Sequence, residues 1–252
     1  MSSFQTMGSA DRDAVTVRGH DLSAELIPSV GFTDLVHLEL TGRLPAPDAR
    51  RVLDAVLVAL TEHGLTPSAV VARLTDLGAP GTAQAAVAAG LLGAGDRFLG
   101  ALDGCARLLQ EWPDDVDDDS HAAGVVDRMR TEKARIPGLG HPTHVDADPR
   151  TTALYRLADE AGLPDRARRR LDRLRSVAEA RSGRRLPVNV DGACGALLTD
   201  LGLPWQVCRG VALVARAAGL VGHLWDERQH PAAATMWDAA ERAVPYRSPD
   251  VP

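Results

Sequence analysis

Pro45–Gly64 reads PAPDARRVLDAVLVALTEHG, and this stretch decides the fold class. Pro47-Asp48 is a helix start. Proline suits a first turn whose N–H groups have no intrahelical acceptor, and an acidic residue there complements the positive end of the helix dipole. Val52, Leu53, Val56, Leu57 and Leu60 then recur at three- and four-residue spacing, which lines one helical face, and His63-Gly64 stops the run. The same grammar repeats outward. Pro67 opens a helix through Leu77, Gly78–Gly81 turns, and Ala83–Leu92 is apolar all round, the pattern of a central buried helix. Gly95-Asp96-Arg97-Phe98 leads into a further helix, Leu99–Leu109. Upstream, Asp21–Gly42 predicts one or two short helices, and residues 1–14 read as a disordered tail by composition.

Downstream, the periodicity predicts helices over His121–Arg135, from Pro149 to about Ala161, and over Asp165–Arg181. The last places Leu171, Leu174 and Ala178 inward and Arg166, Arg169, Arg170 and Arg173 outward. Another helix starts near Asp191, and Pro204 opens a last long one. No stretch sustains period-two alternation, so no strand is expected and the fold class is all-α.

Composition narrows the function classes. With 252 residues, 45% of them hydrophobic, the chain can bury a real core. Only 4% are aromatic, so that core is mostly Ala, Leu and Val, which lets helices approach closely. A net charge of -6 argues against nucleic acid as a partner. The most apolar stretch, Val207–Trp225, carries Arg209, Arg216 and His223, each costly in a bilayer, so no membrane span is expected. Cys105, Cys194 and Cys208 are widely spaced and form no C-x-x-C, which fits a reducing, cytoplasmic setting. Trp112–Ser120 holds five aspartates, read as a solvated turn, and no metal is expected.

Four features fall at helix junctions. Pro137-Gly138-Leu139-Gly140-His141-Pro142-Thr143-His144 sets two glycines before a histidine, which exposes backbone amides and offers a general acid/base; the same pattern also makes a plain helix-capping loop. Arg150 follows nine positions later in Asp148-Pro149-Arg150 and suits bidentate binding of a carboxylate, or a surface ion pair. Asp191, in Asn189-Val190-Asp191-Gly192, opens an apolar helix, where an Asp is usually an N-cap; its functional reading is a carboxylate that moves a proton on carbon. Arg216 and His223 lie in a nearly continuous apolar helix, and Arg216 must pair with an internal carboxylate or face an anionic ligand.

The order of these pieces, Gly-x-Gly-His, Asp-Pro-Arg, Asn-Val-Asp-Gly and Arg-Ala-x-Gly-x-x-x-His, resembles the citrate synthase superfamily across residues 18–231. Gly95–Asp103 and Gly219–Asp226 resemble the citryl-CoA lyase module that ends ATP-citrate lyase. The resemblance implies a large helical domain from residues 15–98 and 200–252 with a smaller one, 99–199, inserted. It implies cleavage of citryl-CoA, or a close 3-hydroxy-acyl-CoA, to acetyl-CoA and oxaloacetate. The alternatives are condensation of an acyl-CoA with a 2-keto acid, and a non-catalytic family member that binds CoA esters. His141 would exchange a proton with the substrate hydroxyl and Asp191 with the thioester α-carbon. His63, Arg150 and Arg216 would bind substrate, and Lys133, Ile136, Gly138, Leu139 and Gly140 would bind CoA. The CoA thioester would be substrate or product with no tightly bound cofactor, the small carboxylic acid the other ligand, and the assembly a homodimer or higher.

Two departures bear on substrate and direction. Citrate synthases carry an enol-binding histidine where this chain has Phe98, as the lyase module does, which disfavours synthesis from acetyl-CoA. Their arginine-proline pair from the partner subunit is matched by His230-Pro231, with Arg228 nearby, which puts one carboxylate contact in doubt.

Overall fold

A computed structural model describes residues 6–141 and 143–248. The first five residues of the expected tail, and Pro142 of the histidine loop, lie outside the described residues. The elements in order are strands β1 (Gly8–Ala10), β2 (Val15–Val17) and β3 (His20–Asp21), a π-helical turn Leu22–Leu26, and helices α1 (Ile27–Ser29), α2 (Phe32–Thr41), α3 (Pro47–Thr61), α4 (Pro67–Gly78), α5 (Ala83–Gln110), α6 (Asp118–Thr131), α7 (Pro149–Glu160), α8 (Arg166–Ser182), α9 (Val190–Asp200), α10 (Trp205–Gln229) and α11 (Ala233–Ala243). The fold is all-α, as the periodicity predicts.

Three expectations about the elements need correction. The chain does hold strands: β1, β2 and β3 form a small antiparallel sheet, with Gly8 opposite Val17 and Thr16 opposite Asp21. Strands of two or three residues are too short to show alternation, and β1 falls in the stretch read as disordered. The predicted helices on either side of Gly95 form one element, α5, broken at Gly95 by a non-helical φ of 45° and ψ of -171°. Ala83–Leu92 is not buried all round: Ala86 and Gly90 face inward and Leu92 is 83% exposed. The burial is one-sided because Gly90 lets Leu220 and Ala72 close against the backbone on one face of the helix.

Packing divides the described residues into two units. One draws on Met1–Val56 and Leu102–Cys208, the other on Leu57–Ala101 and Arg209–Pro252. The division expected from the sequence set 99–199 alone; here the N-terminal part through Val56 groups with 102–208, and Arg51 on α3 pairs with Glu160 on α7 at 2.8 Å.

In the first unit, α6 and α8 close over Trp112, Ala122, Val125, Val126, Leu174 and Ala178. Ile136 and Leu139 of the histidine loop pack against the same cluster, so the loop is anchored by its apolar residues. Asp200 at the end of α9 caps α8, accepting the N–H of Ala167 at 2.8 Å, and burial raises its pKa. Arg170, expected to point outward, is buried: its guanidinium lies 5.2 Å over the Trp112 ring and donates to the carbonyls of Leu109, Trp112 and Pro113. The aspartate loop supplies the counter-charges, with Asp114 near Arg166 and Arg170 and Asp119 near Arg173.

In the second unit, Ala72, Ala86, Leu220 and Leu224 form the core of α4, α5 and α10. α5 and α10 are long and apolar enough to cross a membrane by length and composition. α10 buries Val211, Ala212, Ala215, Leu220 and Leu224, whereas Val221 and Trp225 stay exposed, so this helix too is buried on one side only. The three cysteines are free and buried.

Candidate functional site

The histidine loop and the start of α9 are stitched together by backbone. Gly140 N–H donates to Pro187 O at 2.7 Å, Asn189 N–H to Gly138 O at 3.0 Å, and Leu139 and Val188 form an antiparallel bridge. Asn189 adds two side-chain bonds: its Oδ1 caps α9 by accepting Gly192 N–H at 3.0 Å, and its Nδ2 donates to Gly140 O at 2.8 Å. Gly138 and Gly192 make this approach possible. A Cβ on Gly192 would lie 2.4 Å from Gly138 O, and one on Gly138 2.6 Å from Gly192 Cα. His141 and Asp191, half-buried, are thus carried on two segments held against each other by backbone.

The N-cap of α9 is Asn189, not Asp191, whose carboxylate is therefore not consumed by the capping role usual for an Asp at a helix start. Burial, and then the neighbouring Asp191 charge, push the Cys105 and Cys194 thiols well up, so neither is a thiolate nucleophile.

His141 has a defined tautomer. Its Nδ1 accepts the N–H groups of Thr143 at 3.1 Å and His144 at 3.0 Å. An amide N–H can only donate, so Nδ1 holds a lone pair and the neutral ring carries its proton on Nε2. In this form the ring donates through Nε2–H. Its ring stacks on His144 with centroids 4.5 Å apart.

Arg150 sits in the first turn of α7, and its fork is gripped by the buried Asp148 carboxylate at 3.0 Å from Nε and 2.9 Å from Nη2. Burial opposes ionisation of Asp148, but hydrogen bonds and charge from Arg150 outweigh it and hold the carboxyl below its ordinary range. Thr151, one residue on, donates to Val188 O at 3.0 Å, tying α7 to the segment before α9. His141, His144 and Asp148 each offer an atom within 4.8 Å of the others, a set that could hold a metal ion. Both Asp148 oxygens, however, already accept two N–H bonds each, so a cation there would have to displace Arg150.

Lys133 stands at the mouth of the loop in left-handed backbone, φ 52°. It ends α6 in a Schellman turn, with Lys133 N–H bonded to Arg130 O and Ala134 N–H to Met129 O. A residue with a Cβ is strained there.

His63 and Arg216 belong to the second unit. His63 is exposed on the turn after α3. Gly219 on α10 meets the Thr61 carbonyl so closely that a Cβ would lie 2.0 Å from its oxygen. Glu62 accepts Gly64 N–H and lies 2.9 Å from His223 Nε2. His223 Nδ1 accepts from Arg73 Nε at 3.1 Å, and Arg73, itself buried, pairs with Glu227 at 2.6 Å and Asp226 at 2.5 Å. Hydrogen bonding from Arg73 holds Asp226 low. His223 therefore belongs to an ion-pair network that steadies the His63 turn.

Sequence reading missed three participants: Asn189 as the clamp on Gly140, the amides of Thr143 and His144 that set the His141 tautomer, and the reach of Asp148 to Val190 N–H at 3.1 Å. Only the Asn in Asn-Val-Asp-Gly carried a local signal, as a good N-cap type.

Residues 16–235 match the family model "Citrate synthase, C-terminal domain". The ATP-citrate synthase subunit 1 of Sordaria macrospora is 29% identical over 201 residues, which cover 73% of this chain and 29% of that protein. The chain spans about a third of the length of the curated relatives it matches first. Among solved structures, citryl-CoA lyase from Hydrogenobacter thermophilus superposes with a TM-score of 0.86 at 27% identity, covering 100% of this chain and 97% of that one. ATP citrate lyase from Methanosaeta concilii in complex with (3S)-citryl-CoA shares the fold, with a TM-score of 0.80 at 21% identity over 99% of this chain and 42% of that one. With a match that runs through the histidine loop, the start of α9 and all of α10, this chain belongs to the citrate synthase family.

Proposed function

We propose that the chain is a CoA-thioester carbon–carbon lyase that cleaves citryl-CoA to acetyl-CoA and oxaloacetate. The observation that carries this reading is the backbone clamp that sets the His141 loop against Asp191, within a fold matched over nearly the full length of a citryl-CoA lyase. Phe98, in place of the enol-binding histidine of the synthases, favours the lyase.

Cleavage removes the hydroxyl proton of the substrate, breaks the bond between the carbinol carbon and the thioester α-carbon, and leaves a ketone and an enolate. Asp191, protonated, returns a proton to the enolate carbon. His141 works at the oxygen. Its observed tautomer, with the proton on Nε2, donates to the ketone of bound oxaloacetate, the state after cleavage. To accept the hydroxyl proton beforehand, Nε2 must be bare, with the ring proton on Nδ1 and the Thr143 and His144 amides released; the ring is then an imidazolium, and its Nδ1 proton passes to solvent before the observed tautomer is restored. The observed tautomer is also the one the reverse condensation needs, and on that ground condensation is the second reading. Arg150 and Arg216 pair with substrate carboxylates and His63 contacts the keto-acid part. The Ile136–Gly140 backbone and Lys133 receive CoA. The working unit is a homodimer in a reducing compartment. Large apolar side chains left exposed on the second unit, Val58, Leu92, Val221, Trp225 and Trp237, support association, and three buried free thiols support the compartment.

Incubation with citryl-CoA, malate dehydrogenase and NADH tests the reading: absorbance at the NADH band falls as oxaloacetate forms. No fall with citryl-CoA, together with thiol release from acetyl-CoA plus oxaloacetate, would replace cleavage by condensation. Lys133→Gly relieves about 1 kcal/mol of left-handed strain and raises the melting temperature by about 2–4 °C. The same change raises KM for the CoA ester. An unchanged KM would remove Lys133 from the CoA site.

A further inference from the structure

The Asp148 side chain is fully engaged. Its carboxylate is shielded from solvent and accepts four N–H bonds, two on each oxygen. Oδ1 takes the backbone N–H and Nε of Arg150, both at 3.0 Å. Oδ2 takes Arg150 Nη2 at 2.9 Å and, 42 residues away in sequence, Val190 N–H at 3.1 Å. The first of these caps α7, which is the ordinary role of an Asp before a proline-led helix. The next two fix the Arg150 guanidinium by its Nε edge and leave Nη1 outside this pair. The fourth is different. Val190 is the first residue of α9 and the one before Asp191. Its N–H is buried and belongs to the helix start, where no intrahelical carbonyl can reach it.

We propose that Asp148 is a positioning residue that registers Arg150 and Asp191 to each other, so that the carboxylate-binding cation and the proton-carrying acid are placed by one buried carboxylate. The assignment rests on the roles proposed above for Arg150 and Asp191. Asp148 touches no substrate; it acts through the fork of one residue and the backbone of the other. The geometry divides its action into two separable routes, one to binding and one to the proton step.

Val190→Pro cuts only the second route. Proline is well suited to the first helical position, and Asn189 before it has φ -85° and ψ 173°, the extended backbone a residue before proline takes. The variant loses the N–H given to Asp148 and leaves Arg150 untouched. Misplacing Asp191 by a fraction of an ångström lowers kcat for citryl-CoA cleavage by about ten- to a hundredfold, with KM within about twofold of wild type. Asp148→Asn puts a donor where two N–H groups already point, so it disturbs both routes: kcat falls and KM rises. Amide hydrogen exchange supplies a readout that needs no turnover. Val190 N–H is protected in the wild type and exchanges fast in Asp148→Asn, while the amides of Leu197 and Leu198 stay slow.

Wild-type kcat in Val190→Pro overturns the proposal, as does an Asp148→Asn variant that raises KM alone. If Val190→Pro fails to fold, exchange decides: a Val190 amide still protected in Asp148→Asn overturns the link, and a fast one supports it. Failure of the functional reading looks different, since the wild type then shows no cleavage of citryl-CoA at all, while the exchange result still reports on the Asp148–Val190 bond.

Discussion

Asp191→Asn lowers citryl-CoA turnover by about three orders of magnitude while KM stays within a few-fold, because a positioned acid/base contributes about 10²–10⁴ to rate and the amide cannot ionise. The structure gives the helix cap beside this residue to another side chain. The helix cap is made by Asn189, whose Oδ1 takes Gly192 N–H, so asparagine at 191 removes no cap. The segment is held by Gly138, Gly140 and Val188 through main-chain atoms, none of which the substitution touches. The melting temperature therefore carries no loss from the cap, while kcat collapses. His141→Ala in the same assay loses a comparable factor, and the double variant loses little more than either, since the two act in one proton sequence. Stopped-flow assays at saturating citryl-CoA and a thermal melt on the same samples check both halves. Turnover of Asp191→Asn within tenfold of wild type would remove Asp191 from the reaction, and with it the reason for placing this chain among catalytic family members.

The helices were legible because their signals are local. Pro47-Asp48, the spacing of Val52, Val56 and Leu60, and the stop near His63 depend on a few neighbouring residues, and α3 runs Pro47–Thr61 accordingly. What was not legible depends on what a face meets. Nothing in Ala83–Leu92 says that Gly90 takes the Leu220 contact while Leu92 is left open to solvent. Arg170 looks like its neighbours Arg166 and Arg169 in the sequence, but it alone falls over Trp112, a partner 58 residues away. The candidate site divides the same way. His141, Arg150 and Asp191 stand out by residue type at helix junctions, and their order supplies the family. Which tautomer His141 adopts is fixed by two amides after it, and the bond from Asp148 to Val190 spans 42 residues with no local pattern. Chemistry-bearing side chains are readable from sequence; the hydrogen bonds that give them a protonation state and a direction are tertiary.

Substitution in the glycine pair beneath the site is expected to cost a large share of stability. Gly192→Ala places a Cβ 2.4 Å from Gly138 O and 2.7 Å from Gly138 Cα, both backbone atoms that cannot rotate away as a side chain would. Relief requires the histidine loop to lift from the start of α9. That motion breaks Asn189 N–H to Gly138 O and Gly140 N–H to Pro187 O, and draws Leu139 and Ile136 from the cluster around Trp112 and Val126. Two hydrogen bonds at about 1 kcal/mol each and partial exposure of two apolar side chains at about 1 kcal/mol or more each sum to about 4 kcal/mol. Alanine suits a helix better than glycine by about 1 kcal/mol, which offsets part of this and leaves about 3 kcal/mol. For a chain of this size that corresponds to a fall in melting temperature of about 6–12 °C. Activity falls further than stability, since the loop that lifts carries His141. Gly124→Ala is the control: its Cβ meets nothing within 4 Å, and it lies in the interior of α6, so the same substitution there is neutral or stabilising. Differential scanning calorimetry of both variants decides the matter, and equal melting temperatures would mean that the close contact of Gly138 and Gly192 is not what holds the histidine loop against the start of α9.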